Sequence, residues 1–186
     1  ILGNFDVNFD QKLSSSELQN VREIDCSYLE IESIEGVKYL TNIENLNCSG
    51  NQITKIDVTG LNSLTELNCG ENSLTELKVS GLGNLNELYC YDNNLSSLNL
   101  SGLTNLNELQ CGGNELSSLD LTGLTNLYFL NCQNNNLSQL NLTGLTNLDS
   151  LSCDGNNLTK LDLSLINTLT SLDCYDNQML CISSFS

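Results

Sequence analysis

The stretch Asp6-Val7-Asn8-Phe9-Asp10-Gln11-Lys12-Leu13-Ser14-Ser15-Ser16-Glu17 sets oxygen-bearing residues at alternate positions and closes on a glutamate at its twelfth. Hard divalent cations are held by such sets of oxygens. Here Asp6, Asn8 and Asp10 would give side-chain oxygens, Lys12 its main-chain carbonyl, Ser14 a direct or water-mediated contact, and Glu17 a bidentate carboxylate. That is the chemistry of an EF-hand-like calcium loop. Leu13 fills the apolar anchoring position, whereas Gln11 stands where the sharp turn ordinarily takes glycine. A second reading uses the same atoms. Ser14 and Glu17 also spell a capping box, which would open a short helix and occupy Glu17. Under the calcium reading the ion is structural and closes one end of the molecule.

Sulfur is the second candidate chemistry. Cys48, Cys69, Cys90, Cys111, Cys132, Cys153 and Cys174 each follow the last by 21 residues, and Cys26 precedes Cys48 by 22. Neighbouring residues in register on parallel strands have parallel Cβ vectors about 4.8 Å apart, whereas a disulfide wants converging vectors about 3.8 Å apart. A metal site would want accompanying ligands such as histidine, and the chain has none. Reduced thiols acting as small core hydrophobes are therefore predicted for these eight. Cys181 falls off the series and is the thiol open to reaction or pairing.

The elements that position these groups follow from the period. Around each cysteine runs the frame L-x-x-L-x-C-x-x-N-x-L-x-x-L-x-L, as at Leu85, Leu88, Cys90, Asn93, Leu95, Leu98 and Leu100. A fixed period in the twenties marks a stack of coils, each burying its apolar edge against its neighbours. Eight coils result, with Cys26 in the first. Within a coil the alternation from Glu87 to Tyr91 predicts a short strand with Leu88 and Cys90 inward. On the opposite side Leu98 and Leu100 alternate again over a span too short for an α-helix, so a second short strand or a 3₁₀ segment is expected. Asparagines at 51, 72, 93, 114, 135, 156 and 177 share the period and are read as a structural ladder satisfying turn backbone. Residues 1–20 then form the calcium loop and cap, and 21–186 the array. The frame runs through Ile182 with no capping segment after it, which reads as an array cut or followed by another domain.

The repeat LTNLNELQCGGNELSSLDLTG at 103–123 resembles the leucine-rich repeat proteins that bacteria secrete or display, internalin-like in outline but with a shorter coil. The calcium-loop stretch leading into Val37-Lys38-Tyr39-Leu40-Thr41-Asn42-Ile43 also looks like the start of such an array. The resemblance implies a right-handed leucine-rich repeat solenoid, with a parallel sheet on the concave side and little α-helix. It also implies adhesion or recognition at the cell surface, or secretion.

Composition narrows the partners. Against 6 basic residues stand 23 acidic ones, a net charge of -17, which repels phosphate backbones and speaks against nucleic acid. No apolar run is long enough to span a membrane. Outward strand positions form columns a protein or glycan could read. In the middle coils Glu87, Tyr89, Tyr91, Glu108, Phe129, Asn131 and Gln133 make a mixed aromatic and acidic patch on a monomeric module. Aromatics on a strand face also arise from cross-strand packing alone. A rigid spacer that displays another domain is the competing function. An enzyme is disfavoured, because Glu87 and Glu108 are paired only as members of a repeating column and no cleft or second residue type accompanies them.

Overall fold

In the computed structural model, residues 14–178 and 181–183 are described. Their centre is an eight-stranded parallel sheet. Its strands are β1 (Glu23–Asp25), β2 (Asn45–Asn47), β4 (Glu66–Asn68), β6 (Glu87–Tyr89), β7 (Glu108–Gln110), β8 (Phe129–Asn131), β9 (Ser150–Ser152) and β11 (Ser171–Asp173), neighbours in that order. Register follows the repeat: Leu46, Leu67, Leu88, Leu109, Leu130 and Leu151 face one another along the stack. Each strand has three residues, shorter than the alternation suggested. Its central side chain turns inward, and the next inward group is the ladder cysteine, buried from Cys26 to Cys153.

Two devices end the strand. The outward residue before the cysteine often folds its side chain onto the turn, as when Asn131 Oδ1 accepts the Gln133 amide at 3.1 Å and Asn47 Oδ1 the Ser49 amide at 3.1 Å. Two residues past the cysteine the backbone turns left-handed in every coil, at Tyr28, Gly50, Glu71, Asp92, Gly113, Asn134, Gly155 and Asp176. Only three of those eight are glycine, the residue that adopts this region without strain. At Gly113 an added Cβ would also run into the Asp92 carboxylate.

Opposite the main sheet, β3 (Lys55–Asp57) pairs with β5 (Glu76–Lys78), and β10 (Lys160–Asp162) with β12 (Cys181–Ser183). In the coils between, Leu98, Leu119 and Leu140 hold the same inward place, with a single bridge, Lys78 to Asn99. Small or polar residues flank those leucines, Ser97 and Asn99, Ser118 and Asp120, Gln139 and Asn141, and asparagine and aspartate are poor strand formers. Of the two forms expected on this side, the short strand appears toward the two ends of the stack and the 3₁₀ helix in the first coil, Glu35–Tyr39.

The coils are welded by the asparagine ladder. Asn93 Nδ2 donates to the carbonyls of Cys69 (3.1 Å), Cys90 (3.2 Å) and Tyr91 (3.0 Å), while its Oδ1 accepts the Leu74 amide at 2.9 Å. The pattern repeats from Asn51 to Asn177. A second row, Asn84, Asn105, Asn126 and Asn147, donates to the preceding coil at the exposed turn.

Removing Asn93 strips the buried Leu74 amide of its acceptor, at a cost of about 1–3 kcal/mol. It also takes one donor each from the carbonyls of Cys69, Cys90 and Tyr91, which keep Asn72, Asn114 and the Glu71 amide. Asn93→Ala should therefore destabilise by ~2 kcal/mol or more in chemical denaturation, whereas Asn105→Ala in the exposed row should lose ~1 kcal/mol or less. Equal effects would mean that the inner ladder does not hold the coils.

Candidate functional site

The sheet's outward face brings much of the expected patch together. Glu87, Glu108 and Phe129 are direct Cα partners on successive strands, and Tyr89 is linked to Asn131 through Gln110. All of these are half-buried, because neighbours on the strand flank them. Tyr89 donates its hydroxyl to Glu87 Oε2 at 2.6 Å, and Gln110 Nε2 donates to Glu108 Oε1 at 2.7 Å. The carboxylates are thereby fixed by their own strands. Burial, then the Glu87 hydrogen bond and the Glu108 charge, push the Tyr89 phenol well up, so it remains a donor. Glu66 lies one coil before Glu87. Burial and then repulsion from Glu87, Glu23 and Glu108 raise its carboxyl above the ordinary value.

Three members of the patch are turned toward their own or a neighbouring coil. Asn131 spends its Oδ1 on the turn amide of Gln133, and the Gln133 side chain leans back over Gly112. Tyr91 leans back over Gly70 with its hydroxyl 3.5 Å from Glu71 Oε1, which groups it with Tyr28 on the flank of the stack. Alternation along a strand separates inward from outward, but it does not reveal that a glycine one coil back lets a ring lie down. The signal was present at Gly70 and Gly112, both directly after a ladder cysteine.

At the N-terminal end, Asp6, Asn8, Asp10 and Lys12 lie outside the described residues. Ser14 and Glu17 lie within them and form the capping box of a short helix, Ser15–Leu18. Glu17 Oε2 accepts the Ser14 amide at 2.8 Å and the Ser14 hydroxyl at 2.6 Å, and Glu17's amide donates back to Ser14 Oγ at 3.3 Å. Among the described residues no group of three or more Cys, Asp or Glu side chains is placed to hold a metal. A calcium ion taking Glu17 in bidentate fashion would have to share or displace the Ser14 contacts.

The thiols carry no nucleophilic chemistry in the folded core. All nine are free, seven are buried, Cys174 is half-buried and Cys181 exposed. Burial pushes Cys48, Cys90 and Cys153 up to about 12, and Cys69, Cys111 and Cys132 well above the ordinary thiol value. The thiolate, which is the reactive form, is suppressed.

This geometry has relatives. A family model for leucine-rich repeats in two copies matches residues 41–83. The chain is a leucine-rich repeat solenoid. Solved structures agree along most of its length. The functional domain of InlJ from Listeria monocytogenes, which includes a cysteine ladder, is 34% identical with a TM-score of 0.67, over 89% of this chain and 42% of that one. A leucine-rich repeat protein of Leptospira interrogans is 25% identical, TM-score 0.82, over 90% of this chain and 46% of that one. An internalin C2 of Listeria monocytogenes is 25% identical, TM-score 0.57, over 92% of this chain and 84% of that one. The solenoid thus spans less than half the length of the first two. No curated protein sequence matches it. Among the described residues no helix is long and apolar enough to cross a membrane.

Raised thiol values make the solenoid sensitive to alkali. Ladder thiols ionise in the unfolded chain near pH ~8.5 but stay protonated in the folded one. Stability is therefore full below that pH and falls as pH rises toward about 12, where Cys48, Cys90 and Cys153 titrate in the fold. Each thiol charged only in the unfolded chain removes up to ~1.4 kcal/mol per pH unit. Denaturation midpoints should drop steeply from pH ~8 to ~10, and the double change Cys90→Ala with Cys111→Ala should flatten the drop. A pH-independent midpoint would exclude buried neutral thiols.

Proposed function

We propose that this solenoid is a non-enzymatic recognition module of a secreted or surface-displayed bacterial protein, and that it takes a protein partner on its concave sheet. One observation carries the reading. The inward frame scarcely varies, whereas outward positions in the middle coils change from Glu87 and Tyr89 through Glu108 and Gln110 to Phe129 and Asn131. A spacer has no use for such variation. An aromatic ring beside fixed carboxylates has the composition of a binding hot spot. The Tyr89–Glu87 and Gln110–Glu108 hydrogen bonds hold the face in one arrangement, which lowers the entropy lost on binding. Partners with a basic face are favoured by the net charge of -17.

A protein array probed with the solenoid, with titration of each hit, tests this. Tyr89→Ser with Phe129→Ser should weaken a true partner at least ~10-fold while the melting temperature changes little. Ser150→Ala with Ser152→Ala, further along the face, should bind as wild type. If the aromatic double variant keeps full affinity for every hit, the concave patch falls and a convex site takes its place; if the array yields no partner at all, the spacer replaces the binding module.

The calcium loop belongs to the same proposal as a structural end cap. The oxygen donors of Asp6, Asn8, Asp10, Lys12, Ser14 and Glu17 suit a hard cation. When bound, the ion would supply charge balance and order to the end of the array. Calcium should raise the melting temperature relative to chelator, and Asp10→Ala should abolish the difference. Identical wild-type melting in both conditions would leave the capping box as the sole role of Ser14 and Glu17.

A further inference from the structure

We propose that Tyr28, Glu71 and Tyr91 form a second site, a platform on the flank of the solenoid that binds a neutral saccharide. The three come from different coils: Tyr28 and Glu71 occupy the left-handed turn, and Tyr91 directly precedes it in its own coil. Tyr28 leans forward over Gly50 and donates its hydroxyl to Glu71 Oε1 at 3.0 Å. Tyr91 leans back over Gly70 and brings its hydroxyl to 3.5 Å from the same oxygen. A Cβ at Gly50 would strike the Tyr28 ring, and one at Gly70 would approach the Tyr91 ring to 2.7 Å, so the rings lie down only because both floors are glycine.

Stability does not account for this arrangement. Tyr28 and Glu71 both sit at positive φ, 53° and 52°, where the other coils use Gly, Asn or Asp. Those short residues tolerate the region, whereas an aromatic and a glutamate do not benefit from it. Tyr28 is 65% exposed, so little burial offsets the strain. Strained positions whose side chains converge on one spot point to function.

The chemistry fits a sugar. The exposed Tyr28 ring offers an aromatic face to the C–H face of a pyranose. Glu71 offers carboxyl oxygens as acceptors for sugar hydroxyls. Both phenols are held as donors. The Glu71 hydrogen bond and charge raise Tyr28, while burial and then the Glu71 charge raise Tyr91. The net charge of -17 turns away sulfated and phosphorylated glycans.

The test is an array of neutral glycans, with cellotetraose and chitotetraose titrated in solution by tyrosine fluorescence, which a chain without tryptophan leaves unobscured. A dissociation constant around ~1 mM or tighter is expected for at least one neutral glycan. Tyr28→Ala should weaken it at least ~10-fold and Tyr28→Phe less than ~3-fold, because the ring is the main contact. Gly70→Ala, which lifts the Tyr91 ring without altering any platform side chain, should also weaken binding. Tyr128→Ala should not, and neither should Tyr89→Ser with Phe129→Ser, which separates this site from the concave one. Absence of any neutral glycan binding, or wild-type affinity in both Tyr28→Ala and Gly70→Ala, overturns the proposal. A protein partner that needs Tyr28 while no glycan binds would overturn it too, and would make the platform a protein contact.

Discussion

An amide with nowhere to go but the backbone holds this molecule together. Each ladder asparagine divides its donors among carbonyls of its own coil and the ladder-cysteine carbonyl of the coil before, and returns an acceptor to a backbone amide there. No coil satisfies its own turn. A coil removed from the stack would expose both an apolar edge and unpaired backbone, so coils are stable only as neighbours. The thiols depend on the same contact. Cysteine supplies a small inward side chain and a carbonyl that takes amides from two coils at once, as Cys90 does from Asn93 and Asn114.

Because backbone and inward atoms do most of the joining, outward positions of the sheet are free to differ. The left-handed turn after each cysteine sets where that freedom is used. Its non-glycine residues reach along the stack, Asp92 over Gly113 and Asn134 over Gly155 as Tyr28 does over Gly50. Such a turn costs the backbone about a kcal/mol when the residue is not glycine. The concave sheet and the flank are thus two surfaces with different rules. One presents a flat row of strand positions, the other side chains laid lengthwise across coils.

The period made the register legible in advance. Cysteines 21 residues apart can only stack, and Leu67 opposite Leu88 follows at once. The inner asparagines were legible too, since an amide recurring beside a buried strand must be satisfying backbone. Other features were not. Strand length is decided by where the turn must close, so three residues formed where alternation suggested five. The left-handed φ at Glu71 and Tyr28 leaves no compositional mark, because neither residue signals it. Parity puts Tyr91 on the side of the sheet's outward face, and only the glycine beneath it gives the ring a direction. The outer row at Asn84, Asn105, Asn126 and Asn147 shares the period and was hidden by its exposure, which reads as ordinary surface.

A column of free thiols looks at first like evidence against a place outside the cell, where cysteines are usually paired. The chemistry of the ladder removes that objection. Exchange and oxidation proceed through the thiolate and need access. Burial raises the inner thiols far above ambient pH and shields them, Cys69, Cys111 and Cys132 among them. Parallel strands also carry neighbouring Cβ atoms in parallel, so a pair that did oxidise would have to distort two coils against their ladder asparagines. The protection weakens only at the far end, where Cys174 is half-buried and Cys181 exposed. A further coil stacked on β11 would cover Cys174 as Cys153 is covered, so the same apolar contact that extends the array also preserves its sulfur.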